Sequence, residues 1–126
     1  MHPMVNIAVR AVRSAGNIIV RNMDRLDRLH IERKGDNDFV SEVDRMAEDE
    51  IRAILHQAYP DHAIFGEETG GSDQGEYVWL VDPLDGTTNF LRGFPHFAIS
   101  IALTHRGTLD VGVIYDPVRQ ELWTAK

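Results

Sequence analysis

Along residues 3–29 the apolar side chains Met4, Ile7, Ala8, Ala11, Ala15, Ile18, Ile19, Leu26 and Leu29 return every three or four positions, the spacing of one helical face. Arg10, Arg13, Arg21, Arg25 and Arg28 collect on the opposite side, so the pattern predicts an amphipathic helix with an arginine face. A second helix is predicted to start at Ser41, where Ser41-Glu42-Val43-Asp44 has the form of a capping box, and to end near Tyr59-Pro60. Its buried stripe is expected to comprise Val43, Met46, Ala47, Ile51, Ile54, Leu55 and Ala58.

Beyond Pro60 the period changes. Short apolar runs at residues 63–65, 77–81, 97–103, 109–115 and 121–124 are separated by turn formers and predict strands. The connections at 105–108 and 116–119 suit antiparallel neighbours. The second half therefore reads as a meander beneath two helices: an α+β class with a largely antiparallel sheet. Residues 70–75, Gly-Gly-Ser-Asp-Gln-Gly, read as a mobile surface loop. The final strand ends at Lys126 with its edge uncovered, which predicts a missing C-terminal part or a partner. Such an edge and its apolar face invite a second copy, so a homodimer is expected.

Composition changes this picture in three ways. With 126 residues, 43% apolar and 26% charged, the chain suits one folded domain. It has no cysteine, which excludes disulfides, thiolate nucleophiles and cysteine metal sites, and which fits a cytoplasmic location. No apolar run approaches the roughly 20 residues of a membrane span, and Arg10 and Arg13 interrupt the only candidate export signal. The net charge of −7 is uneven: residues 1–34 carry seven Lys/Arg against three Asp/Glu, and the acidic excess lies beyond them. An acidic body of this kind is where cations are expected.

The chemistry concentrates in residues 79–90, Trp-Leu-Val-Asp-Pro-Leu-Asp-Gly-Thr-Thr-Asn-Phe. An apolar strand delivers Asp82 at its end, and Pro83, which cannot donate to a ladder, is expected to take the chain out of the strand there. Asp85 follows in a turn, and Gly86, Thr87 and Thr88 can open a helical turn whose free N–H groups suit a phosphate. Glu67-Glu68 sits at the end of another predicted strand. If the two strands pair, four carboxylates converge. Clustered carboxylates raise one another's pKa unless a hard cation compensates them, and Mg2+ is the first candidate. With His96 the only nearby histidine, a nitrogen-rich metal site is disfavoured. Turn chemistry alone is the competing reading of Asp82 and Asp85, a solvated loop pair that of Glu67 and Glu68, and a capping box that of Asp44.

The segment Asp-Pro-apolar-Asp-Gly-Thr-x-Asn-Phe after an apolar strand, with Gly66-Glu67-Glu68 and Ser41-Glu42-Val43-Asp44 upstream, resembles the signature of the inositol monophosphatase family, closest to its bacterial SuhB-type members. The resemblance implies the N-terminal part of a layered αβαβα sandwich and a Mg2+-dependent, lithium-sensitive phosphomonoesterase. It implies metal ligation by Glu67, Asp82, the Leu84 carbonyl and Asp85, and phosphate binding at the Gly86 and Thr87 amides. Thr87, with Glu67 and Asp44, is implied to orient and activate the attacking water, and Lys34 resembles a lysine near that site. Family members are roughly twice as long, and their distal half supplies a further metal-binding aspartate, so residues 1–126 alone are expected to be inactive. The implied substrate is a small phosphate monoester, with inositol monophosphate first and a sugar bisphosphate or phosphoadenosine nucleotide as alternatives. Bacterial relatives also imply contacts with rRNA transcription antitermination factors, for which the arginine face is the candidate surface. That face is otherwise the wet side of a helix.

Overall fold

The computed structural model describes residues 2–23, 25, 36–85 and 97–126, with residues 36–41 as helical backbone alone. Helix α1, Pro3–Arg21, starts where its sequence invites a start: Pro3 occupies the first turn, and the His2 imidazole accepts the Met4 N–H at 3.2 Å. Asn22 caps the other end, its amide nitrogen donating to the Ile18 carbonyl at 2.7 Å. The predicted extension over residues 26–29, including Arg28, lies outside the described residues. Val5, Ala8, Ala11, Val12, Ala15 and Ile19 form the buried face, and Arg10, Arg13, Arg21 and Arg25 are exposed. At Gly16 a Cβ would lie 2.8 Å from the Tyr115 ring, so glycine is what lets this helix settle on the sheet.

Helix α2, Asp36–Ala58, begins five residues before Ser41. Ser41 is therefore interior and the expected capping box is not a helix start, which removes the capping explanation of Asp44. The buried stripe also differs from expectation, because Met46 and Ala58 are exposed while Asp44 and Glu48 are buried among Val43, Ala47, Ile51 and Leu55. Helical spacing places Asp44, Glu48 and Arg52 one above another, so a charged row of two buried acids followed by a half-buried arginine runs down one side of this helix.

Six strands form one mixed sheet in the order β2-β1-β3-β4-β5-β6: β1 Ala63–Gly66, β2 Gly70–Gly71, β3 Tyr77–Asp85, β4 Ala98–His105, β5 Thr108–Asp116 and β6 Glu121–Ala125. Strands β3 to β6 pair antiparallel in turn, with short turns joining β4 to β5 and β5 to β6, but β1 pairs with β3 in parallel. Arg106 and Gly107 both have positive φ, the geometry of a tight hairpin. Gly70 and Gly71, expected in a mobile loop, instead pair with Gly66 and Phe65 as a short edge strand. The largest departure is β3, which runs through Pro83 to Asp85. Its pairing with β4 shifts register between Asp82 and Asp85, so the ladder is irregular where proline lacks its N–H.

Alternation decides the two faces of the sheet. Trp79, Val81, Ile99, Ile101, Leu103, Val111, Val113 and Tyr115 are buried in one core with the two helices. Leu80, Ala102 and Ile114 lie on the other face, where they meet Phe65, Leu109 and Trp123 along an open groove of about 550 Å³. Leu109 keeps 66% and Trp123 52% of its surface exposed. At the start of β3 the rings of Tyr59, His62, Tyr77 and His105 stack in a column with centroid separations of 4.6, 4.6 and 4.2 Å. The indole of fully buried Trp79 donates to His62 Nδ1 at 3.0 Å, so His62 serves as a neutral acceptor.

Burial pushes the His62 pKa below its ordinary value, against the pull of Asp61 and Glu76. Because the folded-state value lies below the unfolded one, the stabilisation is complete above about pH 6.5 and is lost as pH falls through the folded value. His62→Phe keeps a ring in the column but removes the acceptor. We expect the variant to lose about 1–2 kcal/mol at pH 7.5 and to show a shallower acid decline than the parent, both read by urea unfolding with tryptophan fluorescence.

Candidate active site

The parallel pairing of β1 with β3 sets Gly66 opposite Val81, and the Glu67 N–H donates to the Val81 carbonyl at 3.1 Å. β1 therefore ends beside Val81, and the next residue on each strand, Glu67 after β1 and Asp82 within β3, brings a carboxylate there. Asp82 Oδ1 accepts the Leu84 N–H at 3.2 Å, a local bond that holds the carboxylate at the strand irregularity. Asp44 arrives from α2. Its carboxyl meets that of Glu68, and the charges of Glu68, Asp82 and Glu67 all act on it, while Glu67 meets Asp82.

Crowding has the expected electrostatic result. Burial first, then Glu68, Asp82 and Glu67, push the Asp44 pKa up to about 8. Burial and the neighbouring Glu67 raise Asp82 to about 6, although the Leu84 N–H opposes the rise. Asp44 is 5% exposed, and its Oδ1 is a buried side-chain oxygen with no hydrogen-bond partner among the described residues. No three acidic or histidine side chains among those residues yet converge on a point at ligating distances. An all-oxygen donor set with one orphaned buried oxygen fits a hard divalent cation, whose charge would reverse the upward shifts.

The Glu67-Glu68-Thr69 turn is gripped from below by Glu48. This side chain is 0% exposed; its Oε1 accepts the Glu68 N–H and its Oε2 the Thr69 N–H, each at 2.9 Å, and Oε2 also accepts the Thr69 hydroxyl. Arg52, one turn along α2, lies 3.4 Å from Glu48 Oε2 and donates to the Gly70 carbonyl. A Cβ at Gly66 would collide with the Glu48 carboxylate, so glycine at that position admits the grip. Burial opposes ionisation of Glu48, yet the Thr69 and Glu68 bonds and the Arg52 charge hold its pKa below the ordinary value.

Of the residues expected to carry chemistry, Asp44, Glu67 and Asp82 are thus brought together, with Glu68 among them. Leu84 is buried two residues beyond Asp82, and Asp85, exposed at the end of β3 opposite Ala98, is not among the charges acting on Asp44 or Asp82. Gly86, Thr87, His96 and Lys34 lie outside the described residues. Glu48 was missed by sequence reasoning. Its signal was the Asp44-Glu48-Arg52 spacing, one polar residue per helical turn on an otherwise apolar stripe.

Comparison with known proteins places this geometry. The inositol monophosphatase family model matches residues 1–126. The chain belongs to that family. It is 56% identical over 129 residues to the Nus factor SuhB of Pseudomonas aeruginosa, covering 99% of this chain and 48% of the relative. The Nus factor SuhB of Escherichia coli K12 is 52% identical over 128 residues, with the same coverage. The crystal structure of extragenic suppressor protein suhB from Bartonella henselae superposes with a TM-score of 0.84 at 38% identity, over 99% of this chain and 48% of that one. Inositol monophosphatase-II from Staphylococcus aureus MSSA476 gives a TM-score of 0.84 at 34% identity, over 99% and 46%. The chain spans about half the length of these relatives, and no helix among its described residues is long and apolar enough to cross a membrane.

Within this family member the raised Asp44 pKa has a stability consequence. An acid whose folded-state pKa exceeds its unfolded value costs stability increasingly as pH rises from about 4 towards 8. In EDTA, Asp44→Asn should therefore raise the unfolding free energy at pH 8 by about 1–3 kcal/mol, with little change near pH 4.5. Thermal unfolding at the two pH values measures both.

Proposed function

We propose that residues 1–126 are the N-terminal metal- and phosphate-binding part of a Mg2+-dependent phosphatase that hydrolyses small phosphate monoesters, inositol monophosphate foremost. The observation that carries this reading is the buried Asp44 carboxyl, which keeps one oxygen without a partner among the described residues while the charges of Glu68, Asp82 and Glu67 act on it. Glu67, Asp82, the Leu84 carbonyl and Asp85 are the proposed ligands. Bound there, Mg2+ would supply Lewis-acid activation of a water and neutralise the phosphate and leaving-group charge. Thr87, with Glu67 and Asp44, would orient and activate that water. The Gly86 and Thr87 amides hold the phosphate. The remaining half of a protein of the relatives' length supplies a further carboxylate and the substrate-ring contacts, so this chain by itself is inactive. Its cysteine-free sequence suits the cytoplasm.

Phosphate release from inositol 1-phosphate by the full-length protein tests the reading. Turnover should require Mg2+, and Asp82→Asn should reduce it by about a hundredfold or more, above the range for outer-sphere changes. Unchanged turnover by that variant would defeat the assignment. A panel including fructose bisphosphate and a phosphoadenosine nucleotide separates the substrate alternatives.

A second reading rests on a different observation. Relatives about half identical to this chain bear the name Nus factor, and α1 exposes Arg10, Arg13 and Arg21, with Arg25 exposed just beyond its end. We propose that this face contacts transcription antitermination factors or rRNA, a role that can coexist with hydrolysis. Arg10→Glu with Arg21→Glu should weaken binding to the antitermination complex at low salt and leave phosphatase rates unchanged. Equal binding by parent and variant, followed by pull-down, would reduce the arginines to a solvated face.

A further inference from the structure

Three side chains on one face of α2 meet the carboxylate site at successive turns: Asp44 inside it, Glu48 beneath the turn that presents Glu67 and Glu68, and Arg52 beneath β2. The middle one is the most unusual. Glu48 is fully buried, and all four of its partners are donors: two amides, a hydroxyl and a guanidinium. It accepts the consecutive N–H groups of Glu68 and Thr69 as a free helix end accepts a cap, and Gly66 has no Cβ so that the carboxylate can come this close. From the other side the same turn is fastened to β3 by the Glu67 N–H on the Val81 carbonyl. The backbone of residues 67–69 is thus pinned at both edges, with the Glu67 and Glu68 side chains left to face Asp82 and Asp44.

We propose that Glu48 is a positioning residue for the cation site: by gripping the amides of Glu68 and Thr69 it fixes where Glu67 and Glu68 offer their oxygens, and so sets the affinity for the cation. This rests on the metal reading given above. Pinning serves that reading because like-charged carboxylates repel, and an unpinned turn relieves the repulsion by swinging away. Holding the turn in place before the ion arrives removes that cost from binding, the role that supporting hydrogen bonds play around metal ligands generally. Glu48→Gln tests the idea sharply, since it keeps the shape of the side chain but turns one acceptor into a donor facing donors.

The experiment uses Mn2+ as a probe in the full-length protein, read by electron paramagnetic resonance, with Asp82→Asn as the reference for ligand loss. Glu48→Gln should weaken Mn2+ binding about tenfold to a hundredfold. In turnover it should raise the Mg2+ concentration for half activity by a similar factor, while the rate at saturating Mg2+ recovers to near the parent. A residue that merely stabilises the fold would lower the melting temperature and leave the Mn2+ affinity of the folded protein unchanged, and that result overturns the proposal. If Asp82→Asn also leaves Mn2+ binding intact, the metal reading itself falls and takes the proposal with it. Should Glu48→Gln not fold, Thr69→Val removes one of the four donors from an exposed position. It should weaken Mn2+ binding several-fold and speed amide exchange at Glu68 and Thr69, and unchanged values for both overturn the proposal equally.

Discussion

The parallel pairing of β1 with β3 is the constraint on which the site depends. An antiparallel arrangement would send the two strand ends to opposite edges of the sheet; the parallel one sets Gly66 beside Val81 and delivers Glu67 and Asp82 together. Parallel neighbours need a connection that crosses back. Here residues 67–76 supply it with the β2 edge strand and the Glu48 grip. Remove that connection and the carboxylates have no reason to share a neighbourhood, since their mutual repulsion favours dispersal. Two like charges about 4 Å apart cost on the order of 4 kcal/mol at the effective dielectric of a protein surface. The fold holds them together by backbone pairing, which is indifferent to side-chain charge.

Asp44 and Glu48 stand one turn apart on the same helix, both buried and both acidic, yet they behave oppositely. Glu48 is surrounded by donors and stays ionised below its ordinary pKa; Asp44 is surrounded by carboxyls and is pushed up to about 8. Burial is common to both and therefore does not distinguish them. The difference is what faces the charge. A satisfied buried carboxylate holds its neighbours in place, whereas one with an unpartnered oxygen among like charges is a candidate for a functional role.

Much of this was legible in the chain. Strand alternation located the four meander strands, and the acidic residues at two strand ends marked the carboxylates that the parallel pairing brings together. Other features were hidden for identifiable reasons. Pro83 reads as a strand breaker, but a register shift beside it removes the demand for its N–H. Ser41-Glu42-Val43-Asp44 reads as a helix start because local capping chemistry looks the same whether or not a helix already precedes it, and α2 begins at Asp36. Gly70 and Gly71 carry no strand propensity; pairing with β1 makes them a strand, at positive φ values that favour glycine. Glu48 escaped because apolar periodicity counts a buried acid as a polar position. Among the described histidines, His2 serves as a helix cap and His62 and His105 as stacked rings.

Strand β3 joins two contrasting environments, and the contrast explains how the crowded carboxylate end is tolerated. At its start Tyr77 sits inside a four-ring column, and Trp79 is fully buried with its N–H satisfied by His62. At its finish, Asp82 is raised to about 6 and faces Asp44. Large buried aromatic rings contribute several kcal/mol each by truncation, comparable to the electrostatic cost collected at the far end. The same strand therefore carries its own anchor. Since β3 is paired on both sides, to β1 and β4, a shift of the carboxylate end has to break ladder bonds that the aromatic end holds in register. Rigidity is thereby transmitted along the strand to the residues that need to stay crowded, which is how a sheet can hold a preorganised, unfavourable cluster that loops alone would let relax.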